Sequence, residues 1–266
     1  TRLEARVLDN FNDNTKTAWT DFTFVPGTGL PTEQNGQFTF AVPGAVLTAA
    51  NSALFWASTK TSESFTLQEG RTVEFRVDVA QGGGNDSFAI LGFVPTSAGG
   101  PAQLKGYSLA KSANEIIIAK GINQYFVDDD TPTGEVKNNN ITLVMTLTVK
   151  SGSVILHAQV LDKDASDAVL WERTVVDTAT ADVMDAGTDN PAAPWIEPGN
   201  FALYLYANYH AASVEDPYTA SFDNAEVYVM DTAVLDDFNG AQKTGWTDFT
   251  FVPGVGLPEQ ANGQFA

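Results

Sequence analysis

Cysteine is absent from this chain of 266 residues. Its absence excludes disulfides, thiolate zinc centres, iron–sulfur clusters and a cysteine nucleophile. Positive charge is scarce, with 14 Lys and Arg against 33 Asp and Glu and a formal net charge of -19. Nucleic acid and anionic membrane surfaces would repel such a chain, so neither is expected as a partner. Histidine occurs twice, which leaves oxygen as the main ligand chemistry. No long hydrophobic run is present. The most apolar window, residues 41–58, is broken by Pro43, Gly44 and Asn51, so no membrane insertion is expected. The opening TRLEARVLDNF has no apolar stretch of the signal-peptide kind and reads as a start made inside a longer protein. Helical periodicity is missing too, with no amphipathic segment of three turns.

What is present is enough for a substantial core, since 43% of residues are hydrophobic and 11% aromatic. The length suits one large β domain or two ordinary ones. A repeat decides the organisation. Residues 8–39 and 235–266 align without a gap at an offset of 227 and agree at 22 of 32 positions, both containing Trp-Thr-Asp-Phe-Thr-Phe-Val-Pro-Gly. The reading is one copy over residues 8–234, the opening strands of a second over 235–266, and an N-terminal extension or the end of a preceding unit over 1–7. Thirty-two residues cannot make such a domain alone, because ordering costs about 1.5 kcal/mol per residue before any burial is counted. The tail therefore needs cover from its own first copy or from a neighbouring molecule. The second option is head-to-tail strand sharing, which builds a filament of self-associating units. Trp246, Phe249 and Phe251 are then the expected interface residues.

Period-two alternation dominates the rest. Val73, Phe75, Val77 and Val79 alternate with Glu74, Arg76 and Asp78, and Ile141, Leu143, Met145, Leu147 and Val149 with Thr and other small or polar residues. Val154, Leu156, Ala158 and Val160 follow across Ser151-Gly152-Ser153, which predicts a hairpin. Phe201, Leu203, Leu205 and Ala207 form a further strand, Tyr218, Ala220 and Phe222 begin the last, and residues 88–94, 107–109 and 115–119 supply shorter ones. Clusters such as 82–86, 97–101 and 138–140 read as turns. The expected fold is all-β, an antiparallel jelly-roll β-sandwich of about a dozen strands.

The opening LDNFNDNTKTAWTDF, the central KGYSLAKSANEIIIAKG and the closing ASFDNAEVYV resemble the concanavalin A-like, laminin-G-like jelly rolls of bacterial extracellular tandem-repeat proteins. The resemblance spans residues 8–230. It implies an Asp-Phe opening strand beside a closing Phe-Asp-Asn strand, two curved antiparallel sheets, and an extracellular or cell-surface location. The same jelly roll serves lectins, glycosidases, lyases and passive spacers, so it does not choose among them.

Residues bearing on chemistry fall into three groups. For catalysis, a retaining glycosidase needs two carboxylates about 5–5.5 Å apart. Glu74 and Asp78 share a strand face but are four positions apart, and the alternation turns them to solvent. No enzyme is expected. For metal, an acidic, Cys-free chain suits calcium, which takes six to eight oxygens. If the first and last strands are neighbours, Asp9, Asn10 and Asn12 share one ion with Asp223 and Asn224. Asp128 and Asp130, or Asp185 and Asp189, offer alternative clusters. Asp9 and Asp223 serve equally well as turn caps bonding backbone N–H groups. For carbohydrate, Tyr204 and Tyr206 lie on one strand face and Trp195 in a Pro-bracketed loop, which makes them the candidate platform for a polysaccharide. The leading expectation is a calcium-stabilised structural repeat module, with a carbohydrate-binding, lectin-like module as the alternative.

Overall fold

In the computed structural model the described residues are 4–15, 19–23, 31–42, 53–82, 88–95, 106–112, 115–120, 125–130, 140–178, 200–210, 218–231, 260–261 and 264–265. They form β1 (Glu4–Asp9), β2 (Thr20–Thr23), β3 (Thr32–Gln34), β4 (Gln37–Val42), β5 (Ala53–Thr66) and β6 (Arg71–Gly82). Then come β7 (Phe88–Pro95), β8 (Tyr107–Lys111), β9 (Glu115–Lys120), β10 (Tyr125–Asp130), β11 (Asn140–Lys150) and β12 (Ser153–Asp162). The last are β13 (Ala168–Asp177), β14 (Asn200–His210), β15 (Tyr218–Asp231), β16 (Gln260–Ala261) and β17 (Gln264–Phe265). The chain divides into two compact units, Arg2–Met230 and Asp231–Ala266, the latter grouped with Thr1.

The larger unit is an antiparallel jelly-roll-like sandwich. Its eight-stranded sheet runs β13-β12-β11-β6-β15-β4-β3 with β1 also on β15, and its seven-stranded sheet runs β10-β9-β8-β7-β14-β5-β2. β15 is long enough to take two partners along one edge. Tyr218 to Phe222 pair with β4, and Ala225 to Val229 with β1. Between them Asn224 adopts φ 49, a left-handed conformation that Asn tolerates better than most residues. The opening and closing strands are neighbours, and Glu4 of the stretch 1–7 pairs with Val229.

Alternation decides which side chains meet between the sheets. Val73, Phe75, Val77 and Val79 of β6 are buried, as are Leu143, Met145 and Leu147 of β11 and Leu91 and Phe93 of β7. An aromatic layer closes one end of the core: Phe11 stacks on Phe38 at 5.4 Å, Trp19 on Phe38 at 5.5 Å, and Phe40 meets Phe222 edge-on at 5.6 Å. Such pairs add to simple area burial through their quadrupoles. Gly106 allows the chain entering β8 to pass close to β7, since a Cβ there would lie 1.7 Å from the Phe93 carbonyl oxygen.

The hairpin between β11 and β12 turns on Ser151 and Gly152, both at positive φ, with Lys150 opposite Ser153. Two residues with φ > 0 match the twist of the flanking strands. Asn35 and Gly36 do the same between β3 and β4, with Gln34 opposite Gln37. In the smaller unit β16 and β17 pair Gln260 with Phe265 and Ala261 with Gln264. At the offset of 227 these are the positions of Glu33, Phe38, Gln34 and Gln37, so the second copy repeats the hairpin in the same register.

Some elements differ from the sequence expectation. The stretch that holds the candidate cluster of Asp128 and Asp130 is a strand, in which Asp128 and Asp129 pair with Ile117 and Ile116 in the β9–β10 ladder. β13 was not expected as a strand because its side chains are mostly exposed, which erases the alternation.

Candidate binding site

The outward side of the eight-stranded sheet carries a half-buried polar face. Between its inward apolar residues, β6 turns Thr72, Glu74, Arg76 and Asp78 outward. Register sets Thr142 of β11 beside Asp78, Val144 beside Arg76, Thr146 beside Glu74 and Thr148 beside Thr72. Cross-strand hydrogen bonds follow: Thr142 donates to Asp78 at 2.7 Å, Thr146 donates to Glu74 at 3.2 Å, and the Thr72 and Thr148 hydroxyls are 2.9 Å apart. Farther along the face, His157 sits 2.9 Å from Thr174 and 3.2 Å from Glu172.

A cleft of about 250 Å³ opens in this face, lined by Arg76, Asp78, Thr142, Lys163, Asp167, Asn224 and Glu226. Three segments supply it. The strands give Arg76, Asp78, Thr142 and Glu226, the turn after β12 gives Lys163 and Asp167, and the kink in β15 gives Asn224. Asp78 is its hub. The Lys163 ammonium lies directly on Asp78 Oδ2, and Asn224 Nδ2 donates to the same oxygen at 2.8 Å. Glu226 accepts the Tyr228 hydroxyl at 2.7 Å, a bond that raises the Tyr228 pKa. Asp223 borders the cleft. Burial raises its pKa, the Asn224 N–H at 2.7 Å opposes that, the Asp78 charge adds to it, and Lys163 opposes it again.

A second acidic group lies around the aromatic layer. Asp9 Oδ1 accepts the Phe11 N–H at 2.9 Å and Oδ2 the Trp19 indole N–H at 2.8 Å. Asp13 and Glu33 both accept the Thr15 N–H, at 2.9 and 3.1 Å. Glu33 is 7% exposed, and its Oε2 finds no donor. Its pKa is raised to about 7, first by burial, then by a hydrogen bond with Asp13 and by the charges of Asp9 and Asp13, against the Thr15 N–H. Two ionised carboxylates cannot bond to each other. A contact between the two carboxyls requires one proton between them, and the raised pKa of Glu33 is in keeping with that.

The residues singled out in the sequence are distributed as follows. Asp9 engages Phe11 and Trp19, Asn10 Oδ1 accepts the Asn12 N–H at 3.3 Å, and Asp223 and Asn224 border the cleft beside Asp78 and Lys163. The structure thus gives Asp9 and Asp223 different neighbours. Asp128 is exposed in β10, whereas Asp129 beside it accepts Trp171 Nε1 at 2.9 Å and pairs with Arg173 at 2.8 Å. Among the described residues no group of three or more His, Asp or Glu is placed to hold a metal ion. Tyr204 and Tyr206 occupy β14 opposite Gly92 and Ile90, alternating with buried Leu203 and Leu205. Their side chains, that of Asp130, and the whole of Asp185, Asp189, Trp195, Trp246, Phe249 and Phe251 lie outside the described residues. Among the described residues no helix is long and apolar enough to cross a membrane.

No protein-family model and no curated protein matches the chain. Its fold is shared with solved structures of low identity. An endo-1,3-beta-glucanase from Streptomyces sioyaensis is 11% identical with a TM-score of 0.54, covering 86% of this chain and 97% of that one. A lectin from Bauhinia forficata in complex with GalNAc is 11% identical with a TM-score of 0.50, covering 87% and 100%. The CBM2 module of the evolved Dit of Lactobacillus casei BL23 phage J-1 is 13% identical with a TM-score of 0.50, covering 87% and 100%. The chain has the lectin-like jelly-roll fold that carbohydrate-binding proteins and glycoside hydrolases share, and identity this low speaks to fold alone.

Proposed function

We propose that this chain is a carbohydrate-binding module that holds a glycan, without cleaving it, in the cleft of Arg76, Asp78, Asn224 and Glu226. The observation carrying this reading is the cleft itself, where planar guanidinium, amide and carboxylate groups converge on one half-buried spot. Adjacent sugar hydroxyls donate and accept at once, and fixed planar groups of both kinds are what can orient them. The fold it shares with a GalNAc-bound lectin is consistent with that use. Binding without hydrolysis is supported by the state of the carboxylates. Asp78 already takes Thr142, Lys163 and Asn224, and Glu226 takes Tyr228. A hydrolase needs one carboxyl to give a proton while another attacks or activates water.

A glycan array followed by calorimetry on the strongest hit tests this. Arg76→Ala and Glu226→Gln are each expected to weaken that binding tenfold or more, about 1.4 kcal/mol. Absence of any hit, or affinity unchanged in both variants, removes the reading. Release of shorter sugars from the bound glycan would instead make the chain a hydrolase.

A second reading, a unit of a repeated structural chain, is favoured by the hairpin that recurs in one register at an offset of 227. Sedimentation of the full chain is then expected to show association that rises with concentration and is lost when residues 235–266 are removed. A monomer at every concentration would leave the glycan reading alone.

A further inference from the structure

We propose that Lys120 and Asp177 condense to an intramolecular isopeptide bond, with Tyr107 as the acid–base group, joining the two sheets covalently. Lys120 ends β9 in the seven-stranded sheet, and Asp177 ends β13 in the eight-stranded one. Lys120 Nζ lies 3.0 Å from Asp177 Oδ1 and 2.8 Å from Oδ2, with the two side chains 3% and 1% exposed. Tyr107 stands directly opposite Lys120 in the β8–β9 ladder, is fully buried, and donates its hydroxyl to Asp177 Oδ2 at 2.6 Å. An amine bridging both carboxyl oxygens rests against the carbon between them, within the roughly 3–3.5 Å from which bonds form.

The three side chains hold every group that condensation requires. One proton passing from the Lys120 ammonium to the Asp177 carboxylate produces both reactants at once, an amine with a free lone pair and a carboxylic acid. The Nζ lone pair then attacks Asp177 Cγ, forming the N–C bond. Negative charge gathers on Oδ2, where the Tyr107 hydroxyl already points. The Cγ–Oδ1 bond breaks, and Oδ1 leaves as water with the acid proton and one proton from Nζ, relayed through Tyr107. The products are one amide and one water, with no oxidant or reductant involved. Water leaving an apolar interior removes the co-reactant that reversal needs.

The experiment is an intact-mass spectrum of the denatured full chain. The expected mass is about 18 Da below that of the sequence, one water lost, with a branched proteolytic peptide joining the Lys120 and Asp177 segments. Lys120→Arg keeps the charge but is not a nucleophile, so this variant is expected at full mass. Tyr107→Phe is expected to retain the fold and carry the bond in only a minor fraction of molecules. A wild-type chain at full mass after prolonged incubation overturns the proposal and leaves a buried ion pair. A deficit that persists in Lys120→Arg overturns it as well, because the lost water then comes from elsewhere.

Discussion

Asp177→Ala is expected to lower the stability of the larger unit by about 3–5 kcal/mol, the usual cost of breaking a buried charge pair from one side. The variant strips a 3% exposed ammonium of the carboxylate held at 2.8 Å and takes away the acceptor of the Tyr107 hydroxyl. Most of that cost comes from the groups left behind, not from the attraction lost. The double variant Lys120→Met/Asp177→Leu, whose apolar side chains need no partners, is therefore expected to recover the part of the loss that comes from stranded polar groups but to stay below the wild type, because it too lacks the proposed Lys120–Asp177 cross-link. A double variant as stable as the wild type would show that only an ion pair had been lost. Urea unfolding of the three proteins measures all of this. A loss below about 1 kcal/mol in Asp177→Ala would place the pair outside the set of buried charge pairs whose breakage is costly.

Glu33→Gln is expected to act in the opposite direction and to stabilise the protein above neutral pH. Glu33 has a pKa raised from 4.5 to about 7 in the folded state. Between those values the folded chain holds more protons than the unfolded one, so stability falls as pH rises from about 4.5 to about 7 and is flat beyond. The penalty above pH 7 is on the order of 3 kcal/mol, because each tenfold gain in proton affinity on folding is worth about 1.4 kcal/mol. Gln avoids it. Its amide oxygen still accepts the Thr15 N–H, and its amino group donates to Asp13 without a titrating proton. Unfolding measured at pH 8 should show the gain, and at pH 4 the two proteins should agree. Parallel profiles for variant and wild type across that range would show that the proton does not reside on Glu33.

The sheets were legible where one face of a strand is core and the other is polar. Val73 to Val79 and Ile141 to Val149 announced β6 and β11, and Ser151-Gly152 announced their neighbouring hairpin. β13 was not legible because an outer strand buries few side chains, chiefly Trp171 and Asp177. The cleft was partly legible, since alternation set Asp78 on the outward face. What alternation could not show was Lys163 arriving from a turn and Asn224 from a backbone kink, which together make Asp78 a hub instead of a solvated acid. Lys120 and Asp177 are 57 residues apart, and nothing in the sequence marks them as partners. Only the stacking of one sheet on the other makes them a pair. Asp9 stayed ambiguous because a turn cap and an ion ligand require the same side chain, and the Trp19 indole that engages it lies ten positions away.

β15 sits between β6 and β4, yet it is the last strand of its sheet to be synthesised. On the ribosome, both flanking strands emerge well before the strand that separates them. Each then presents an open ladder edge while roughly 140 further residues are translated (Gly82 to Tyr218 on the β6 side). During that interval the nascent chain cannot complete the sheet, and both edges stay open to non-native pairing until Tyr218 and the rest of β15 emerge.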